Sequence, residues 1–290
     1  MAATPGDAPP TFEQLRWTAP GSELALLSAQ PASCLASSDP LVRSGRALFG
    51  VPTLLGGQAA KAGLSCASCH INGRDNPHFL LSGVSSAPGT ADVSNSFFSA
   101  ARGNARFDPV VIPDLAMPGK ISRDVREKAL EPFLRTLIVE EFGGAEPSAS
   151  MLDALATYVR AIRRCNPDAP VARTLSDQLR GIDDGMVGSA TMLERGDAAG
   201  VRLSIAAIRH QLGLISERYP GAGFVGERAG LLSASRALQA IEEGGVDGNS
   251  DIGPALRRWK GDFDRRLVPR LQRVEGRSLY REDRLARALR

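Results

Sequence analysis

The chain is poor in the residues that build reactive centres. Among 290 residues there are three histidines and four cysteines, and aromatic residues make up 5 %. No apolar run approaches the length of a membrane-crossing helix, which excludes an α-helical membrane span. The opening "MAATPGDAPPTFEQL" has neither a basic n-region nor an apolar h-region, so it is no secretion signal. It reads instead as the Pro- and Ala-rich lead of a mature protein, with residues 1–19 expected to be disordered. A net charge of +3 is unremarkable as a total, and the length favours two domains, each large enough to bury a core.

Two of the four cysteines stand close together in "SCASCHI", residues 65–71. Two intervening residues put Cys66 and Cys69 on one helical turn, where both sulfurs can meet neighbouring vinyl carbons of a single flat ligand. His70 then sits beneath its plane. That spacing is the one used for thioether attachment of haem, with His70 as proximal iron ligand. Other readings need more than these residues supply. A structural zinc site wants four Cys or His ligands in two close pairs, yet Cys34 and Cys165 stand alone and His78 is the only nearby histidine. A thioredoxin-type pair opens a helix after a buried strand, whereas Cys66 follows the glycine-rich "GGQAAKAGL".

Helical periodicity brackets the motif. "DPLVRSGRALFG" predicts a helix capped by Asp39, with Leu41, Leu48 and Phe49 on an apolar face. "SASMLDALATYVRAIRR" predicts another, with Leu152, Leu155, Tyr158, Val159 and Ile162 at helical spacing. Gly45, four residues before Phe49, lets two helix backbones cross closely at the haem edge, with Tyr158 as a second aromatic. Cys34 precedes the first helix and Cys165 ends the last. An oxidising compartment would allow them to pair and staple the ends of this segment; two buried free thiols are the alternative.

Residues from about 20 to 168 resemble a c-type cytochrome domain of the di-haem cytochrome c peroxidase superfamily. The resemblance rests on "GRALFG", "LLGGQAAKAGLSCASCHINGRDNP", "GTADVSNSFFSAARG" and "IPDLAMPGKISRD". It implies an all-α fold wrapped round one covalently held haem c. Family peroxidases use two haems, whereas this chain has a single Cys-x-x-Cys-His, and "MPGKISRD" replaces the usual His-Asp-Gly turn. Electron transfer is thereby favoured over peroxidase activity, and an exported, periplasmic location is expected.

The sixth iron position separates a carrier from an enzyme, because a thioether closes the iron and an open position admits peroxide. Met117, in the proline-braced loop "IPDLAMPGK", is the expected ligand. Met151, at a helix start, points into the core, and His78 lies too close to His70 to reach round the ring easily. Arg74 and Arg102 are each read either as partners of a haem propionate or as solvated surface residues.

Beyond Pro170 four helical stripes follow. They run Leu175–Leu193, Val201–Tyr219, Leu231–Ile241 and Ile252–Val274, the last expected to kink at Pro269. Short breaks join them as in antiparallel neighbours, so residues 169–290 are expected to form a four-helix bundle. It has no cysteine and only His210, read as a packed or surface residue; Gly181, Gly185 and Gly188 mark close helix packing. From Arg257 to Arg290, twelve Lys or Arg face five acids. Such an excess favours a redox partner with an acidic docking surface, with a solvated basic helix as the alternative. No nucleic-acid recognition motif accompanies it.

Overall fold

The computed structural model describes residues 13–98, 103–245 and 251–290. Helix accounts for 58 % and strand for 6 %, and none of the described strands exceeds three residues, so the class is all-α. None of the described helices is long and apolar enough to cross a membrane.

The first half of the chain is short helices joined by loops: α1 (Glu23–Ser28), α2 (Pro40–Phe49), α3 (Gly57–Lys61), α4 (Cys66–Cys69), α5 (Leu130–Thr136) and α6 (Ala149–Ala161). The cap expected at Asp39 is present, and Ser148 supplies another. The Asp39 carboxylate accepts from the N–H groups of Leu41 and Val42, and the Ser148 hydroxyl from Met151 N–H, satisfying donors that a helix start leaves without partners. The ends of this half are drawn together by antiparallel pairs, β1 (Ala29–Pro31) with β6 (Pro170–Ala172) and β2 (Cys34–Leu35) with β5 (Ile162–Arg163). Between the last two lies the Cys34–Cys165 disulfide, with Cα atoms 5.4 Å apart. A third pair, β3 (Thr90–Ala91) with β4 (Val110–Val111), ties the loops that follow α4.

The second half is α7 (Leu175–Glu194), α8 (Ala198–Glu217), α9 (Val225–Glu243), α10 (Ile252–Arg266), α11 (Val268–Val274) and α12 (Glu282–Ala288). α7 packs on α8, α8 on α9, α9 on α10, and α10 returns to α7. Thr174 and Asp177 form a reciprocal cap that starts α7. Its glycines allow a close approach: a Cβ on Gly185 would strike Ile208, and one on Gly188 would lie 2.9 Å from the Ser204 hydroxyl. The tightest face of α7 therefore runs through Gly185, Gly188, Ser189 and Met192, while Leu179, Met186 and Leu193 pack at its edges.

Three expectations change. The lead expected to be disordered through residue 19 is folded from Glu13: a 3-10 turn spans Glu13–Trp17, and Trp17 and Ala19 are buried because the indole joins the main core. The last stripe breaks at Leu267 rather than kinking at Pro269; the proline falls in the first turn of α11, where its missing N–H costs nothing. The halves on either side of residue 168 also share one continuous core, running from Trp17 to Leu271. α2 carries that continuity, packed on α6 along one side and on α7 along the other.

Candidate functional site

The Cys-x-x-Cys-His segment is a single helical turn with its own supports. Ser65 and Ser68 cap one another across it, and His70 N–H donates to the Cys66 carbonyl at 2.9 Å. Asn72 then takes a left-handed conformation (φ 53°) and Gly73 follows at φ 78°, which reverses the chain at once. Asn72 donates to the Pro31 carbonyl and the fully buried Asn76 donates to the Ser68 carbonyl, each at 2.8 Å. These two asparagines hold the turn against the core. Sequence reasoning passed over them, although an Asn in a glycine-flanked turn is a conformational signal.

Burial decides the protonation of all three motif residues. It pushes both thiols up to about 12, with the neighbouring Cys66 adding to the effect at Cys69. The residues keep some surface while their sulfurs lie inside. A redox pair needs a thiolate stabilised by its surroundings; these are protonated, unpaired thiols. Burial also takes the His70 imidazole down to about 4, opposed by the Pro113 carbonyl and the Asp114 carboxylate. Its Nδ1 is buried and completes no hydrogen bond. Pro113 thus stands close enough to favour a proton on the ring without closing that bond.

An aromatic wall adjoins the histidine. Phe49 lies 6.3 Å from the His70 ring and meets Tyr158 edge-on at 5.2 Å. Gly45 makes this possible, since any Cβ there would overlap the Ala154 carbonyl where α2 crosses α6. The expected close crossing and its two aromatics are therefore present beside the motif. Cys34 and Cys165 are bonded to one another, which removes both from any metal-ligand set shared with Cys66 and Cys69.

The remaining sequence-derived candidates are placed as follows. Arg74 is neither a solvated arginine nor a free fork: it is 8 % exposed and bonded to Asp114 and Asp168. These pairs raise its pKa and, together with Arg164, hold Asp168 well below the usual carboxylate range. Arg102 lies outside the described residues. Met151 is buried in the core as expected. His78 is half-buried, and its carbonyl accepts from Ala19 N–H. His210 lies 3.7 Å from a Glu13 carboxylate oxygen; burial lowers its pKa to about 4, so the contact joins a neutral imidazole to the acid and is no ion pair.

Met117 is 40 % exposed, and its sulfur rests 3.5 Å from an Arg164 nitrogen. The loop leading to it is tied to the chain just after the motif: Leu115 N–H donates to the Gly73 carbonyl, and Asp114 binds Arg74. Arg123 clamps the same loop to the end of α6, bonding the carbonyls of Leu115 and Val159. The structure thus brings together Cys66, Cys69, His70 and the Pro113 carbonyl, and places Met117 with the Arg74–Asp168–Arg164 cluster. Comparison with protein-family models, with curated proteins and with solved structures finds no match for the chain.

Proposed function

We propose that the protein is an exported monohaem c-type cytochrome that carries electrons. Residues 20–168 form its cytochrome unit, and the ring of α7 to α10 serves as a four-helix bundle that docks a redox partner. The observation that carries this reading is the single turn on which two protonated thiols immediately precede a buried histidine. Cys66 and Cys69 would hold the porphyrin by thioethers and His70 would bind the iron, with Phe49 and Tyr158 against its edge. The Pro113 carbonyl would orient the imidazole by accepting from Nδ1, as outer partners of ligating histidines do. Bound there, haem supplies one-electron chemistry that no side chain of this protein offers. The disulfide suits the oxidising compartment in which such proteins mature.

The deciding experiment is extraction. Protein co-expressed with a cytochrome c maturation system and denatured in acidified organic solvent keeps its haem if thioethers hold it. Haem released into the solvent sinks the reading. Cys66→Ala or Cys69→Ala leaves one thioether and matures poorly.

The placement of Met117 favours a second reading, a haem enzyme with an open distal site acting on peroxide. Ligation by Met117 requires its sulfur to leave Arg164, whereas an open iron does not. Methionine ligation gives a low-spin ferric spectrum with its weak far-red band; Met117→Ala then loses that band and lowers the reduction potential. A high-spin ferric spectrum unaffected by Met117→Ala selects the open site.

The basic tail is the proposed docking element. Its charge is partly spent within the chain, since Lys260 bonds Asp183 and Asp264, Arg265 bonds Asp262, and Arg270 meets Glu227 at 3.6 Å. Reversing Arg265, Arg266, Arg270 and Arg273 to Glu should slow association with an acidic partner most at low salt. Rates indifferent to both changes leave the tail a solvated surface.

A further inference from the structure

The turn that leaves the Cys-x-x-Cys-His motif rests on one small platform, residue by residue. Asn72 donates to the Pro31 carbonyl at 2.8 Å, a Cβ on Gly73 would strike the Ile162 side chain, and the Arg74 guanidinium bonds both Asp168 carboxylate oxygens, at 2.6 and 3.1 Å. All three partners lie in the two chain segments that the disulfide joins. Pro31 ends β1 three residues before Cys34, Ile162 opens β5 three residues before Cys165, and Asp168 stands three residues after it.

Without the bridge this platform is thin. It consists of β1 with β6 over three residue pairs and β2 with β5 over two, and an isolated two-stranded pair is marginal in water. Cys34 and Cys165 are each partly exposed, which leaves the bridge open to exchange with a thiol.

From the platform the contacts continue to the histidine. Arg74 also bonds Asp114 at 2.8 Å, and the preceding residue, Pro113, presents the carbonyl that faces His70. The Gly73 carbonyl accepts from Leu115 N–H at 3.1 Å, two residues before Met117. Asp168 thus stands at one end of a connected set, Asp168–Arg74–Asp114, whose other end adjoins the proximal side of the motif.

We propose that the Cys34–Cys165 disulfide is a redox lock on this turn: closed, it fixes the platform under Asn72, Gly73 and Arg74; opened by a dithiol reductant, it loosens that turn and with it the loop 113–117. In opening, one thiolate of the reductant attacks a bridge sulfur and its second thiolate displaces the mixed disulfide. Two electrons and two protons pass to Cys34 and Cys165, and the reductant leaves as its own disulfide. The strand pairs form in both states, and the bridge sets how often they open. The consequence for a bound haem rests on the cytochrome reading, because Cys66, Cys69 and His70 are the residues so held; the coupling itself does not.

Hydrogen exchange read by mass spectrometry tests the lock on the full-length protein without haem, oxidised and after reduction with dithiothreitol. Amides of 70–76 and 113–117 should exchange about tenfold faster or more once the bridge is open, and reoxidation should restore their protection. Cys34→Ser with Cys165→Ser, which needs no reductant, should match the reduced wild type. Asp168→Ala separates the lock from a general loss of stability: it cuts the link to Arg74, so amides of 113–117 should already exchange fast, and reduction should add less than about threefold. Exchange in the turn and loop that is indifferent to reduction overturns the proposal. So does equal acceleration in wild type and Asp168→Ala, which is what a bridge acting on the whole fold would give. Free extraction of haem beside a reduction-sensitive turn removes the cytochrome reading alone, and thioether-bound haem beside an insensitive turn removes the lock alone.

Discussion

Gly45 of α2 lies directly on the backbone carbonyl of Ala154 in α6. Because the obstructing atom is backbone, a side chain cannot be admitted by a rotamer change; the two helices must separate. Gly45→Ala should therefore destabilise the protein by about 3 kcal/mol or more, the upper range for overpacked cores. It should also pull the Phe49–Tyr158 pair from the His70 side. Chemical denaturation gives the first quantity. A variant as stable as the wild type would mean that the helices do not cross there.

Asp184 on α7 is 1 % exposed and bound by both Arg43 and Arg46 of α2. One buried carboxylate thus serves two guanidinium groups reaching from the other half of the chain. Asp184→Ala leaves both without their partner and should cost on the order of 2–4 kcal/mol, less than a fully buried triad because the arginines keep some solvent. Replacing all three with apolar residues should recover most of that loss. A triple variant no better than Asp184→Ala would show that the cluster contributes more than charge compensation.

Glu13 gives the fold a pH dependence of unusual sign. Burial and the nearby Glu217 carboxylate raise its pKa from 4.5 to about 7, with Arg16 opposing. The folded state thus holds a proton that the unfolded state has released, so this contribution to stability falls as pH rises from about 4.5 through 7 and levels off above. His210 acts in the opposite sense, because burial lowers its pKa from 6.5 to about 4 and the unfolded state takes up its proton first, so the Glu13 contribution is read from the difference between variant and wild type. Glu13→Gln should gain on the order of 1–3 kcal/mol over the wild type at pH 8 and nothing at pH 4. Urea midpoints for both proteins across this range measure it; a difference that grows toward low pH would refute the assignment.

The disulfide closes a loop between residues 131 apart in sequence. Removing a cross-link over so long a loop should cost about 2–5 kcal/mol. Cys34→Ser with Cys165→Ser should lower the thermal midpoint while β1 and β6 still pair, so far-UV circular dichroism changes little below the transition. Equal midpoints with and without reductant for the wild type would show that the strand pairs alone hold the ends.

What the amino-acid sequence determined by itself is whatever local chemistry dictates: the helix start at Asp39, the helical stripes, and the spacing of Cys66, Cys69 and His70. Capping and periodicity act over a few residues, so they are legible without knowing what lies opposite. Gly45 was legible only beside the motif, because a glycine four residues before an aromatic on a helix is a weak pattern until a haem site flanks it. Tertiary structure decided everything that depends on which surfaces meet. Arg74 became a latch only because folding brings Asp114 and Asp168 to it, and Met117 met Arg164 only because the Leu115 loop is tied to Gly73. Trp17, in the stretch expected to be a disordered lead, is buried because Phe79 packs against its ring and Leu80 N–H donates to its carbonyl. No local pattern records that contact: the free energy that fixes it comes from apolar surface shared between segments far apart in sequence.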